Sequence, residues 1–134
     1  MEKFIFSKDL KTDVSSIDFQ HQILIEKINI LTESVEIADN EKVLINLKDL
    51  VRFTKQHFMY EEMIFNNFNY KQTKAHHTRH IGLTNELDDL IKTLEDGNPI
   101  NYNEIYSFLK NWLTNHIKIE DMSYLDFMRE NKVP

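Results

Sequence analysis

Residues 47–68 read LKDLVRFTKQHFMYEEMIFNNF, and this run indicates an amphipathic α-helix. Its inward positions recur every three or four residues, which is the period of a helix with one buried face. The predicted buried face consists of Leu47, Leu50, Thr54, His57, Glu61, Ile64 and Phe68. Two of these groups, His57 and Glu61, are polar and stand four residues apart. The run therefore predicts a bundle helix that also carries polar groups into the core.

The composition of the whole chain agrees with a helical fold. At 134 residues the chain is long enough for one domain, so we expect a single domain over residues 1–134. Glycine and proline together number only four, whereas a β-rich domain of this size needs many turns built from them. A mostly helical chain with few connections fits better.

Three polar breaks divide the chain, at residues 38–40, 69–72 and 96–99. They leave four periodic segments, predicted as helices at about 17–38, 41–68, 73–95 and 102–121. Short connections make consecutive helices antiparallel neighbours, so the predicted fold class is all-α, an up-down-up-down antiparallel four-helix bundle.

Two segments flank this predicted bundle. The N-terminal arm, residues 1–16, carries Phe4, Ile5 and Phe6, which we expect to pack across the bundle. The tail, residues 122–134, is predicted to contain a short amphipathic helix that covers the bundle end. A motif for docking a partner is the alternative interpretation of the tail.

The other three segments carry inward stripes of the same kind. These stripes are Ile17, His21, Leu24, Ile28, Leu31 and Val35; His76, His80, Leu83, Leu87, Leu90 and Leu94; and Ile105, Leu109, Trp112 and His116. Polar groups interrupt all four stripes, and burying one without a partner costs about 2–7 kcal/mol. Something in the core must therefore satisfy these groups together.

The interrupting groups fall at one end of the predicted bundle. The candidate metal ligands are His21, His57, Glu61, His76, His80, His116 and Asp121. His21 lies early in its helix, and His57 and Glu61 lie late in theirs. His76 and His80 again lie early, and His116 and Asp121 lie late. An antiparallel bundle therefore brings all seven to one layer. The last pair, five residues apart, lies about 140° apart on an ideal helix and is the poorest match.

The donor set limits the metal without choosing it. The chain has no cysteine, and nitrogen with carboxylate donors suits iron, zinc, manganese or copper. Seven ligands are too many for one tetrahedral zinc. If two six-coordinate metals share them with bridging carboxylates and a bridging oxygen, one coordination position stays open. A small molecule such as dioxygen can use that position.

Four segments also carry a family resemblance: 17–21 (IDFQH), 57–62 (HFMYEE), 76–80 (HHTRH) and 112–121 (WLTNHIKIED). In this order and spacing the chain resembles the hemerythrin family, in particular its single-domain bacterial members. The resemblance implies two iron ions (Fe2+/Fe3+) with a bridging hydroxo or oxo group. One iron would be held by His76, His80 and His116, the other by His21 and His57, with Glu61 and Asp121 bridging. The implied O2 pocket consists of Phe58, Trp112, Leu113 and Ile117.

The function that follows is reversible O2 binding for carriage, storage or sensing, without enzymatic turnover. Small ligands such as NO or azide are further candidates for the open position. A di-iron enzyme acting on O2, peroxide or NO is one alternative, and an iron-handling protein is another. Ferritin-like enzymes use Glu-x-x-His motifs, and no glutamate stands three residues before any histidine of this chain.

Charge and hydropathy restrict the other partners. The net charge is −6 and no Lys/Arg cluster is present, so we expect neither nucleic acid nor membrane as a partner. Without an apolar leader or span, a cytoplasmic location is expected. Among the polar neighbours of the site, His77, Glu62 and Glu120 fall off the inward stripes and are expected to face solvent, although His77 is also a candidate to support a ligand. Asp18, Gln20 and the tyrosines are candidates to hydrogen-bond the ligand imidazoles.

Overall fold

The computed structural model describes residues 3–6, 8–98, 101–117 and 122–134, without the side chains of Asp9, Leu113 and Met122. The five α-helices of this part are α1 (Ser15–Glu36), α2 (Asn40–Asn67), α3 (Thr73–Glu95), α4 (Tyr102–Thr114) and α5 (Leu125–Glu130). Short 3₁₀ helices at Lys8–Leu10 and Met122–Tyr124 precede α1 and α5. None of the described helices is long and apolar enough to span a membrane.

The helices form the predicted bundle. Helix α1 packs against α2 and α4, and α2 packs against α3. Ion pairs show that α2 and α3 run in opposite directions, because Lys48 near the start of α2 meets Glu95 at the end of α3 at 2.8 Å. Further along α2, Lys55 meets the earlier α3 residue Asp88 at 3.2 Å. The all-α helical-bundle prediction is confirmed.

Local sequence sets the bounds of α1, α2 and α3 and the start of α4 within about two residues of prediction, whereas α4 ends at Thr114 and not at residue 121. Asp39 accepts a hydrogen bond from the Lys42 backbone N–H at 3.1 Å, which caps α2, and Asn101 caps α4 in the same way. Each break between bundle helices contains a residue with positive φ, at Ala38 (54°), Asn69 (57°) and Gly97 (76°). A left-handed residue just beyond a helix end stops the helix and turns the chain.

The tail closes one end of the bundle. Tyr124, Leu125 and Met128 are buried in a cluster with α1 and α2 residues, among them Ile17 and Phe65. The predicted short helix in the tail and its covering position are both confirmed. This end of the molecule is also the end that carries the polar residues of α1 and α2.

The predicted burial of two apolar side chains, Ile5 and Phe68, was wrong. Phe4 and Phe6 pack partly against the core, but Ile5 is 77% exposed because alternate residues of an extended arm face opposite sides. Phe68, predicted at the end of the α2 stripe, is 44% exposed since it lies just beyond the last helical residue.

The stripe of α3 is less buried than the sequence predicts. Leu87 is fully buried, but Leu83, Leu90 and Leu94 are only partly covered. The reason is the loose seam between α3 and α4, where a cleft of about 390 Å³ remains at the end away from the histidines.

Candidate metal centre

The polar groups of the stripes meet in one buried layer at the tail-covered end. Among the described residues of this layer, His21, Glu61 and His116 have no exposed area, and His57, His76 and His80 have at most 3%. One donor atom each from His21, His57, Glu61 and His116 lies within 4.8 Å of the others. Helices α1, α2 and α4 therefore supply a compact group of three imidazoles and one carboxylate.

Glu61 links this group to the histidines of α3. Its Oε2 lies 3.4 Å from His57 Nε2, and its Oε1 lies 3.2 Å from His80 Nε2. The α3 histidines follow one another along the layer, with the ring centroids of His76 and His80 6.2 Å apart. His76 is the outermost of them, and its Nε2 lies 3.2 Å from the Ser123 hydroxyl. The carboxylate of Glu61 thus stands between the two sets of imidazoles.

Burial keeps the central imidazoles neutral. It lowers the pKa of His21 from 6.5 to about 4, although the charges of Glu61 and Asp18 oppose the shift. Burial, together with the neighbouring imidazoles, lowers the pKa of His57 and of His116 well below the ordinary value. Neutral imidazole, with a free lone pair, is the form that binds metals.

Helix α4 changes its geometry at the ligand position. Residues 115–117 form a π-helical turn, whereas the sequence predicted an unbroken α-helix to residue 121. A π turn hydrogen-bonds residues five apart and so brings i and i+5 towards one face, and such turns are frequent at functional sites. The predicted ligand Asp121, five residues beyond His116, lies outside the described residues, as does Glu120.

One predicted outer partner contacts the imidazole of a candidate ligand, and another does not. The Oε1 of Gln20 accepts a hydrogen bond from His57 Nδ1 at 2.5 Å. With the proton held there, the His57 Nε2 lone pair faces His116 Nε2 at 3.1 Å. Asp18 instead accepts hydrogen bonds from the backbone N–H and the hydroxyl of Thr12, both at 2.8 Å, ahead of α1.

Two contacts of the layer were not predicted. The Tyr124 hydroxyl, fully buried in the tail, donates a hydrogen bond to Glu61 Oε2. Glu62, expected to face solvent, is 19% exposed at its side chain and lies between His77 and His80. Spacing alone gave no signal for Tyr124, because the tail is a separate element whose position over the bundle end depends on tertiary packing.

Three of the four predicted pocket residues surround the imidazoles of His80 and His116. The Phe58 ring stacks on His80 with centroids 3.8 Å apart and planes 1° apart, and lies 4.9 Å from His116. Trp112 stacks on His116 at 5.4 Å, and Ile117 is fully buried beside it. The side chain of Leu113 lies outside the described part of the chain.

Comparison with known proteins identifies the family. The family model of the hemerythrin HHE cation binding domain matches residues 12–128. The chain belongs to the hemerythrin family. This family match agrees with the resemblance carried by the four sequence segments.

Individual hemerythrins cover almost the whole chain at low identity. A bacteriohemerythrin of Pseudomonas paraeruginosa is 27% identical over 98% of this chain and 85% of its own length. A myohemerythrin of Riftia pachyptila is 26% identical over 90% of both chains. A crystal structure of a hemerythrin point mutant superposes with a TM-score of 0.78 at 26% identity, covering 84% of this chain and 86% of that one.

The buried donor atoms of this hemerythrin domain fit a bound cation. Once His57 Nδ1 carries its proton, the lone pair of Nε2 points at the Nε2 of a second imidazole only 3.1 Å away. At His80, a ring nitrogen likewise approaches a carboxylate oxygen of Glu61 at 3.2 Å. Lone pairs that face each other in a buried layer repel, unless a proton or a metal ion lies between them. The donor set, nitrogen and carboxylate oxygen, suits iron.

Proposed function

We propose that this chain binds dioxygen reversibly at a non-haem di-iron centre, as a carrier, store or sensor of O2. The observation that carries the proposal is the single buried layer of five imidazoles and one carboxylate, at most 3% exposed, inside a hemerythrin domain. Membership of the hemerythrin family supports a cation site and iron as the metal, and the nitrogen and carboxylate donors are compatible with iron.

The proposed ligands divide into two sets and two bridges. One iron is assigned His76, His80 and His116, and the other His21 and His57. Glu61 bridges them, in keeping with its two oxygens lying 3.4 Å from His57 and 3.2 Å from His80. Asp121 is the proposed second bridge, and the π turn at 115–117 favours this spacing. A hydroxo or oxo group completes the proposed centre.

An iron pair supplies reversible electron donation to a small bound ligand, and the protein's contribution is the environment. Phe58 and Trp112 place apolar surface against His116, and Ile117, the next residue, is fully buried, which limits the access of water and charged reductants from this side. A dry site of this kind slows loss of the bound ligand in a charged form, because an ion leaving through apolar surface is poorly solvated. NO and azide are further candidate ligands for the open coordination position.

Carriage is favoured over turnover by the residues that line the site. The Phe58 and Trp112 rings, with centroids 4.9 Å and 5.4 Å from that of His116, offer no general acid or base there. The Tyr124 hydroxyl of the tail donates to Glu61, and the Ser123 hydroxyl lies 3.2 Å from His76 Nε2. A di-iron enzyme acting on O2, peroxide or NO remains the alternative, and steady-state consumption of peroxide or NO would support it.

Metal analysis of the purified, iron-loaded protein tests the ligand assignment. We expect two irons per chain in the wild type and loss of iron in His80→Ala. The matched control is Thr78→Ala, which shortens an exposed side chain in the same helix turn and should leave two irons bound. Full iron content in His80→Ala, or zinc in place of iron in the wild type, would contradict the proposal.

A further inference from the structure

Two neighbouring carboxylates of α2 flank one imidazole of α3. Glu61 Oε1 lies 3.2 Å from His80 Nε2, and Glu62 Oε2 lies 3.4 Å from His80 Nδ1. The first glutamate is fully buried, and the second is 19% exposed at its side chain. His80 is therefore held between an inner carboxylate on the metal side and an outer carboxylate on the solvent side.

A third group fixes the outer carboxylate. The other oxygen of Glu62, Oε1, accepts a hydrogen bond from Nδ1 of His77. His77 and His80 stand three residues apart on α3, so one carboxylate bridges two imidazoles of adjacent helix turns. Because each oxygen of Glu62 faces a different ring, rotation of the carboxylate about its last bond is restrained.

The ring of His80 is also fixed in its plane. Phe58 stacks on it with centroids 3.8 Å apart and planes 1° apart. Stacking prevents the ring from tilting but leaves it free to flip by 180°, which would put carbon atoms where Nδ1 and Nε2 now lie. A carboxylate on the Nδ1 side opposes that flip, since it keeps the N–H pointing outward.

We propose that Glu62, held in place by its hydrogen bond with His77, is a positioning residue for His80. It keeps the proton of that imidazole on Nδ1 and so directs the Nε2 lone pair to the metal centre. The 3.4 Å separation is longer than a usual N–H···O hydrogen bond, and a metal ion bound to Nε2 would make Nδ1–H a stronger donor towards Glu62. This inference rests on the proposed di-iron function.

The proposed iron ligands His57 and His80 differ in the group that their outer ring nitrogen faces. His57 donates its outer N–H to the neutral amide of Gln20, whereas His80 faces the charged carboxylate of Glu62. A carboxylate partner raises the basicity of an imidazole ligand more than an amide does, and so stabilises the higher oxidation state of the metal it binds. The iron on the α3 side is therefore the one whose reduction potential Glu62 lowers.

Four variants of the iron-loaded protein separate charge from packing. Glu62→Asp keeps the charge, Glu62→Gln keeps the shape without the charge, Glu62→Leu removes both acceptor oxygens, and His77→Gln removes the outer imidazole. The control is Glu26→Gln, which makes the same change from carboxylate to amide on a different helix, α1. That helix packs against α2 and α4. The two readouts are the rate at which ferrozine removes iron from the reduced protein and the midpoint potential of the iron pair.

We expect iron to leave Glu62→Leu about 10-fold faster than the wild type or more, as for other carboxylate partners of metal-bound histidine. The iron-release rate of Glu62→Gln should lie between those of the wild type and Glu62→Leu, and the rate of Glu62→Asp should stay close to that of the wild type. His77→Gln should release iron faster than the wild type but more slowly than Glu62→Leu. The midpoint potential should rise in Glu62→Gln and Glu62→Leu, and stay near the wild-type value in Glu62→Asp.

Wild-type release rates and potentials in both Glu62→Gln and Glu62→Leu would overturn the inference, as would an equal effect of Glu26→Gln. If Glu62→Leu does not fold, the comparison of Glu62→Gln with Glu62→Asp decides, because the pair differs in charge. A wild-type protein that binds no iron would overturn the proposed function and this inference with it. Full wild-type iron content with unchanged variants would overturn this inference alone.

Discussion

Lowering the pH from 7 to 5 should destabilise the metal-free protein through its buried histidines. In the unfolded chain these side chains titrate near 6.5, whereas burial lowers the pKa of His21 to about 4 and those of His57 and His116 further below the ordinary value. Between these values the unfolded state binds more protons than the native state. The stability that these three histidines contribute is therefore fully present above about pH 6.5. It is lost as the pH falls towards their pKa values in the native state.

The size of the effect follows from the shifts. With an unfolded pKa of 6.5 and a native pKa of about 4, His21 removes about 2 kcal/mol of unfolding free energy between pH 7 and pH 5. The pKa values of His57 and His116 are lowered in the same direction, so both residues add to this loss. A domain of this size is stable by about 5–15 kcal/mol, so the loss should be a large share of the stability of the metal-free protein.

Urea denaturation followed by circular dichroism at pH 7, 6 and 5 measures this loss. His21→Leu removes one buried titrating group, so its loss over the same range should be smaller than that of the wild type by about 2 kcal/mol. The control is Ile28→Val on the same buried face of α1, which should cost about 1 kcal/mol at every pH. Equal pH dependence in wild type and His21→Leu, or none in either, would refute the argument from burial.

Three further substitutions test separate parts of the account. Asp39→Ala should cost about 1 kcal/mol of unfolding free energy by removing the cap of α2, and Asp39→Asn should restore it; no loss in urea melts would contradict the capping role. Tyr124→Phe should cost about 2 kcal/mol, because it leaves a buried oxygen of Glu61 with one donor fewer, and an unchanged melt would remove the tail from the site. Leu113→Ala should speed autoxidation of the iron-loaded protein while leaving two irons bound, and an unchanged rate would exclude Leu113 from the ligand pocket.

The helices and the inward direction of the ligands were predictable from the sequence. The three- and four-residue spacing of apolar side chains placed His21, His57 and Glu61 on buried faces, and the structure buries all three. This worked because helix periodicity is a local property, and because short connections leave consecutive helices few ways to pack. The caps of α2 and α4 are local as well, since Asp39 and Asn101 each accept from a backbone N–H three residues ahead.

The surroundings of the site were less predictable because they depend on contacts between distant elements. Tyr124 reaches Glu61 from a tail that lies 63 residues further along the chain. Glu62 appeared to face solvent because it falls off the stripe of α2, yet α3 packs over that edge and brings His77 and His80 to it. The half-buried leucines of α3 depend on how closely α4 approaches, which no periodicity reports.

The central claim is reversible O2 binding, and one cycle on the iron-loaded, reduced protein tests it most directly. The visible spectrum is recorded under argon, after admission of air, and again after purging with argon, with the iron content measured before and after. The account predicts a charge-transfer band that appears with air and disappears on purging, with two irons per chain throughout. No band despite bound iron, or a single conversion to an oxidised form that purging does not reverse, would contradict it.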